Sequence, residues 1–132
     1  MAEEKIIVFK TVELSKLTPV IRKSEVEGRP FYERLKKSLK KEGLKNPLLV
    51  ENRPTGLKVT VGCTRLFALR DIGRKRAKAV IVTYPQDIGQ VEIPTGKRIT
   101  VEDFPKYFPS LKRVVENPGY LSVKLEHIHL KE

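Results

Sequence analysis

The chain has 132 residues, 39% of them hydrophobic, and a net charge of +11, which fits one domain with a core that needs no staple. Its longest apolar runs, residues 6–9 and 79–82, are far too short to cross a bilayer, and the acidic start Met1-Ala2-Glu3-Glu4 lacks the pattern of a secretory signal. A single cysteine, Cys63, forms no internal disulfide, so a cytoplasmic protein with a free thiol is the expectation.

Ile6-Ile7-Val8-Phe9 and Thr11-Val12-Glu13-Leu14 read as a first strand and its exit. Residues 15–28 read as irregular, with Pro19 and a charged stretch around Arg22 and Lys23. The segment from Pro30 to Gly43 predicts a helix: Phe31, Leu35 and Leu39 recur every four residues, and Gly43 supplies the stop. Pro47-Leu48-Leu49-Val50-Glu51 and Leu57-Lys58-Val59-Thr60-Val61 are strands, joined as a hairpin by the turn residues Arg53-Pro54-Thr55-Gly56.

Gly62 then breaks the strand, and residues 63–72 carry helical spacing through Leu66, Leu69 and Ile72 up to Gly73. Residues 78–82 form another strand. Beyond Tyr84, Thr100-Val101-Glu102-Asp103 resembles a helix cap, and Pro105 and Pro109 keep any helix there short. Residues 110–116 suggest one more helix and 120–130 a closing strand. The expected fold class is α/β (α+β), a small mixed sheet flanked by helices. Residues 1–84 form its core, and 85–132 a C-terminal extension packed on the same domain.

The strongest local signal is the strand-to-helix turn Val61-Gly62-Cys63-Thr64-Arg65. A glycine there lets a ligand approach the backbone, and the first amides of the helix lack intrahelical acceptors. The helix dipole adds partial positive charge, so a phosphate suits the place. Thr64 contributes a hydroxyl and Arg65 a planar fork for two phosphate oxygens.

The stretch from Tyr32 to Val50, with Ser38, Gly43-Leu44 and Pro47-Leu48-Leu49-Val50, resembles the ParB/sulfiredoxin superfamily, as does Gly62-x-x-Arg65-x-x-Ala68 followed by Gly73. The resemblance spans residues 14–82, about half the chain. It implies a stand-alone ParB-like N-terminal domain that binds a nucleoside triphosphate, ATP or CTP, with Mg2+. On this reading Gly62, Cys63, Thr64 and Arg65 hold the phosphates, and Arg22 is a closing cation. Two departures stand out: Thr64 replaces the arginine usual in partition proteins, and no helix-turn-helix reader follows Tyr84. A DNA-linked role in phage or plasmid biology is the implied setting. Gly62-Cys63-Thr64-Arg65 is also similar to the Gly-Cys-His-Arg turn of sulfiredoxins, with Thr64 in place of histidine. That likeness leaves an alternative open: an ATP-dependent phosphotransferase, sulfiredoxin-like or akin to free serine kinases, with Cys63 as nucleophile.

Charge is unevenly distributed. Residues 1–84 hold 20 Lys+Arg against 9 Asp+Glu, whereas residues 85–132 hold 7 of each, so the whole excess lies in the first part. An anionic partner is expected there, and Arg34, Lys37, Lys41 and Lys45 on one helix face form a ridge suited to the phosphates of DNA. A solvated surface accounts for the same lysines. His127 and His129 point to one side of the last strand without a third ligand nearby, so no metal site is assigned.

Overall fold

The computed structural model describes residues 5–108. Six strands, β1 (Ile6–Glu13), β2 (Leu17–Pro19), β3 (Leu48–Arg53), β4 (Gly56–Val61), β5 (Arg76–Thr83) and β6 (Lys97–Arg98), form one mixed sheet in the order β2-β4-β3-β5-β1-β6. The central pair β3 and β5 is parallel, and so is the edge pair β2 and β4. The remaining neighbours are antiparallel. Helices α1 (Pro30–Glu42), α2 (Cys63–Asp71) and the single turn α3 (Phe104–Tyr107), with short 3-10 turns at Leu14–Lys16, Lys23–Glu25 and Pro85–Asp87, complete the elements.

Strand alternation divides the apolar side chains between two cores. Leu48 and Val50 of β3, with Ala77, Ala79 and Ile81 of β5, pack with Tyr32 and Leu39 of α1 and Leu66, Phe67 and Leu69 of α2. On the opposite face Ile7, Leu49, Val80 and Val82 pack with Tyr84, Ile99, Phe104 and Phe108. Both faces of the central strands are therefore covered, which explains their nearly unbroken apolar runs. The cap at Thr100 forms as its sequence suggests: the hydroxyl accepts the Asp103 N–H at 3.2 Å.

Two expectations need correction. The buried stripe of α1 is Tyr32, Leu35 and Leu39, with Phe31 exposed. Tyr32 wins the inward position because its ring packs against α2 while its hydroxyl meets a carboxylate there. The stretch 15–28 is less irregular than it reads. Leu17–Pro19 pairs with Leu57–Val59 as an edge strand, where a proline is tolerated. The expected helix at 110–116, the strand at 120–130 and the two histidines lie outside the described residues.

Candidate phosphate-binding site

Strand β4 ends at Val61, and Gly62 adopts φ 104° and ψ 20°, the left-handed region, before α2 begins at Cys63. The first intrahelical bond runs from the Leu66 N–H to the Gly62 carbonyl at 2.8 Å. Helix geometry leaves the amides of residues 63–65 without an acceptor inside the helix. A Cβ on Gly62 would stand 2.7 Å from Leu48 Cδ2 and 2.8 Å from Arg65 Nη2. The arginine therefore folds back over the glycine and sets its charge at the positive end of the helix.

Two carbonyls hold Arg65 in that pose. Nη1 donates to Asn46 O at 2.5 Å and Nη2 to Pro47 O at 3.3 Å, tying α2 to the loop that enters β3. Burial disfavours its charged form and lowers its pKa. The sequence marked Arg65 as a phosphate fork and missed this bracing role. Two of its five N–H donors are used on the loop, and three remain for another acceptor.

Cys63 is buried beneath the start of the helix. Its thiol donates to Val59 O at 3.1 Å, and its sulfur accepts the Val20 N–H at 3.4 Å. Thr64 is half-buried and Arg22 exposed. Arg22 lies in a strap running along α2: Val20 is attached at the start of the helix, while Lys23 Nζ meets Asp71 Oδ1 at its end, 2.5 Å away. The Arg22 N–H donates to Glu25 Oε2 at 2.8 Å, which fixes the turn that follows. The structure thus brings Gly62, Cys63, Thr64 and Arg65 together, with Arg22 on the strap alongside.

Asp71 also accepts from the Tyr32 hydroxyl at 2.5 Å, joining the strap, α1 and α2 at one carboxylate. Burial opposes its ionised form, yet the hydrogen bonds from Lys23 and Tyr32 outweigh it and hold its pKa below the ordinary 3.8. Burial first, then the carboxylate beside it, pushes the Tyr32 hydroxyl upward. Because Asp71 is more acidic folded than unfolded, its contribution is present above the unfolded pKa and lost as pH falls through the folded one. Asp71→Asn is accordingly expected to lower stability to urea near neutrality, with the difference from the parent closing as pH falls below the ordinary carboxylate range. A gap of constant size across that range would contradict the assignment.

The basic ridge is only partly as read. Arg34, Lys37 and Lys41 are exposed on the outer side of α1. Lys45 lies beyond the end of the helix, which stops at Glu42, and pairs with that residue at 2.6 Å. The helix cannot extend to Lys45 because Gly43 terminates it with φ 76°.

Sequence reading also missed a buried polar network on the second face of the sheet. Glu51, 0% exposed, accepts from the Tyr84 hydroxyl at 2.9 Å. Arg53 reaches Glu51 Oε1 at 3.6 Å and Asp87 Oδ2 at 3.3 Å. Beside them the Asn52 amide donates to Thr83 Oγ1 and Glu92 O, at 3.1 and 3.0 Å. The available signal was a glutamate and an asparagine directly after an apolar run too hydrophobic for an edge strand.

A mixed six-stranded sheet with paired helices on one face defines an α/β (α+β) domain of ParB/sulfiredoxin-like fold. Solved structures bear this out. A pNOB8-like ParB N-domain, in its C2221 form, superposes with a TM-score of 0.50 and 22% identity over 67% of this chain and 35% of that one. A further pNOB8-like ParB N-domain gives 0.50 and 18%, covering 89% of this chain and 40% of that one. Sulfiredoxin from Arabidopsis thaliana gives 0.50 and 17%, over 64% of this chain and 98% of that one. The chain thus spans little more than a third of the ParB chains and nearly all of the sulfiredoxin. No protein-family model matches it, and no curated protein does. At these identities the likeness is one of fold. Among the described residues no helix is long and apolar enough to cross a membrane.

Proposed function

We propose that this domain binds a nucleoside triphosphate, ATP or CTP, with its phosphates at the start of α2, and acts as a ParB-like module in DNA-linked phage or plasmid biology. The observation that carries the reading is the folding of Arg65 over Gly62. A guanidinium with N–H donors beyond the two used on the loop stands over the first amides of a nine-residue helix, and Thr64, half-buried, is the second residue of that helix. Arg22, on the strap beside that turn, supplies the closing cation. Among the described residues no group of three His, Cys, Asp or Glu side chains could hold a metal. Magnesium in this reading therefore arrives on the phosphates, its usual habit.

The rival reading is an ATP-dependent phosphotransferase with Cys63 as nucleophile, favoured by the sulfur's position at the first residue of the helix beside Arg65. Its burial and its bond to Val59 O require the strap at Val20 to move before a substrate reaches it. Isothermal calorimetry with ATP, ADP, CTP and GTP in magnesium separates the two. Arg65→Ala is expected to weaken binding by about tenfold to a hundredfold, the range for losing charge-assisted hydrogen bonds. Cys63→Ser is expected to leave affinity unchanged. If the parent bound none of the four nucleotides, the proposal would fail. If Cys63→Ser abolished ATP turnover with a sulfinylated partner protein, the enzyme reading would replace the module.

A further inference from the structure

The connection between α2 and β5 carries Arg74-Lys75-Arg76-Ala77-Lys78, four cations in five residues. All four are exposed, and none pairs with a carboxylate among the described residues. The turn that presents them is fixed rather than loose. The Gly73 N–H bonds to Arg70 O at 3.1 Å, the Arg74 N–H to Leu69 O at 2.9 Å, and Lys75 O accepts the Leu14 N–H at 2.9 Å. Arg70, one turn earlier, is itself spent on the frame, with Nη2 donating to Leu14 O and Leu17 O at 2.6 Å each.

Beyond the turn, Arg76 and Lys78 alternate with Ala77 and Ala79, which face the helices. They therefore stand on the other face of the sheet, about 6.6 Å apart at the usual rise of a strand. The Tyr32–Asp71 hydrogen bond draws the first turns of α1 against the last turn of α2.

We propose that this end of the domain, centred on Arg74, Lys75, Arg76 and Lys78, is a docking surface for the phosphate backbone of duplex DNA. Fixed cations at strand spacing follow a polyanion without reading its bases. The two arginines add forks that match phosphate oxygens. Phe31 is the only exposed aromatic side chain among the described residues, so a row of stacked single-stranded bases has no platform here. The large exposed apolar side chains among the described residues are Val20, Phe31 and Ile88, and none lies in the 74–78 segment, which argues against insertion into a bilayer. The proposal is independent of the nucleotide reading at Gly62.

The test is fluorescence anisotropy of a labelled duplex of mixed sequence, titrated with the full chain over a range of salt. The parent is expected to bind at low salt, with log affinity falling linearly against log salt. Replacing Arg74, Lys75, Arg76 and Lys78 together by Gln should reduce that slope by about 2 to 4, close to one for each lost phosphate contact. The milder pair Lys75→Gln and Lys78→Gln should remove about half as much, which guards against misfolding of the quadruple variant. Nucleotide binding by both variants should equal the parent's, so that failure of one reading is distinct from failure of the other. An unchanged slope in the quadruple variant overturns the proposal. So does a parent that ignores duplex DNA, or one that prefers vesicles rich in phosphatidylserine.

Discussion

Gly62→Ala is expected to lower the thermal unfolding midpoint by about 10 °C or more and to abolish nucleotide binding. Two separate penalties coincide at this residue. Its φ of 104° is one that side-chain-bearing residues rarely adopt, and holding such a residue there costs about 1–3 kcal/mol. The added Cβ also meets Leu48 Cδ2 at 2.7 Å and Arg65 Nη2 at 2.8 Å. Leu48 is completely buried and has nowhere to go, and Arg65 is held by Asn46 O and Pro47 O. Overpacking of this kind adds about 1–3 kcal/mol. Gly28→Ala is the matched control: φ there is 82°, but nothing lies within 4 Å of the new Cβ. It should show the backbone penalty alone, roughly a third to a half of the effect. Scanning calorimetry of both variants, with nucleotide titrations below their midpoints, reads the result. Equal shifts in the two variants would show that Leu48 and Arg65 do not crowd this turn.

The turn at Gly62 was legible because its signals are local. A strand alternation, a glycine and a helical spacing follow one another within about a dozen residues, and the hairpin between β3 and β4 is announced in the same way by Arg53-Pro54-Thr55-Gly56. What stayed hidden depends on partners distant in sequence. Tyr32 displaced Phe31 from the buried stripe because Asp71, 39 residues away, accepts its hydroxyl. Strand β2 is three residues long and ends in proline, and only its register with Leu57–Val59 makes it a strand. Arg65 looked like a ligand-seeking fork because the loop carbonyls it braces, Asn46 O and Pro47 O, precede it by almost twenty residues. Backbone acceptors carry no side-chain signature, so no spacing rule exposes such a bond.

The same limit concealed the network around Arg53, where another large effect is expected. Arg53→Met should destabilise the domain by about 3 kcal/mol in urea unfolding, the lower end of what breaking a buried ion pair costs. Arg53 stands between Glu51, fully buried on the central strand, and Asp87, 7% exposed, in the segment that leaves β5. Methionine fills a similar volume, so the loss reports on charge rather than on a cavity. Without the guanidinium, two carboxylates share an interior where their ionised forms are poorly solvated. Tyr84→Phe, which removes only the hydroxyl that donates to Glu51, should cost about 1–2 kcal/mol. The triple change Glu51→Leu, Arg53→Met and Asp87→Leu provides the decisive comparison. If the network is costly to break but not in itself a large source of stability, the triple variant recovers most of what Arg53→Met loses. A triple variant no better than the single one would mean that these groups hold residues 84–92 against the sheet by their hydrogen bonds, and that apolar packing cannot replace them.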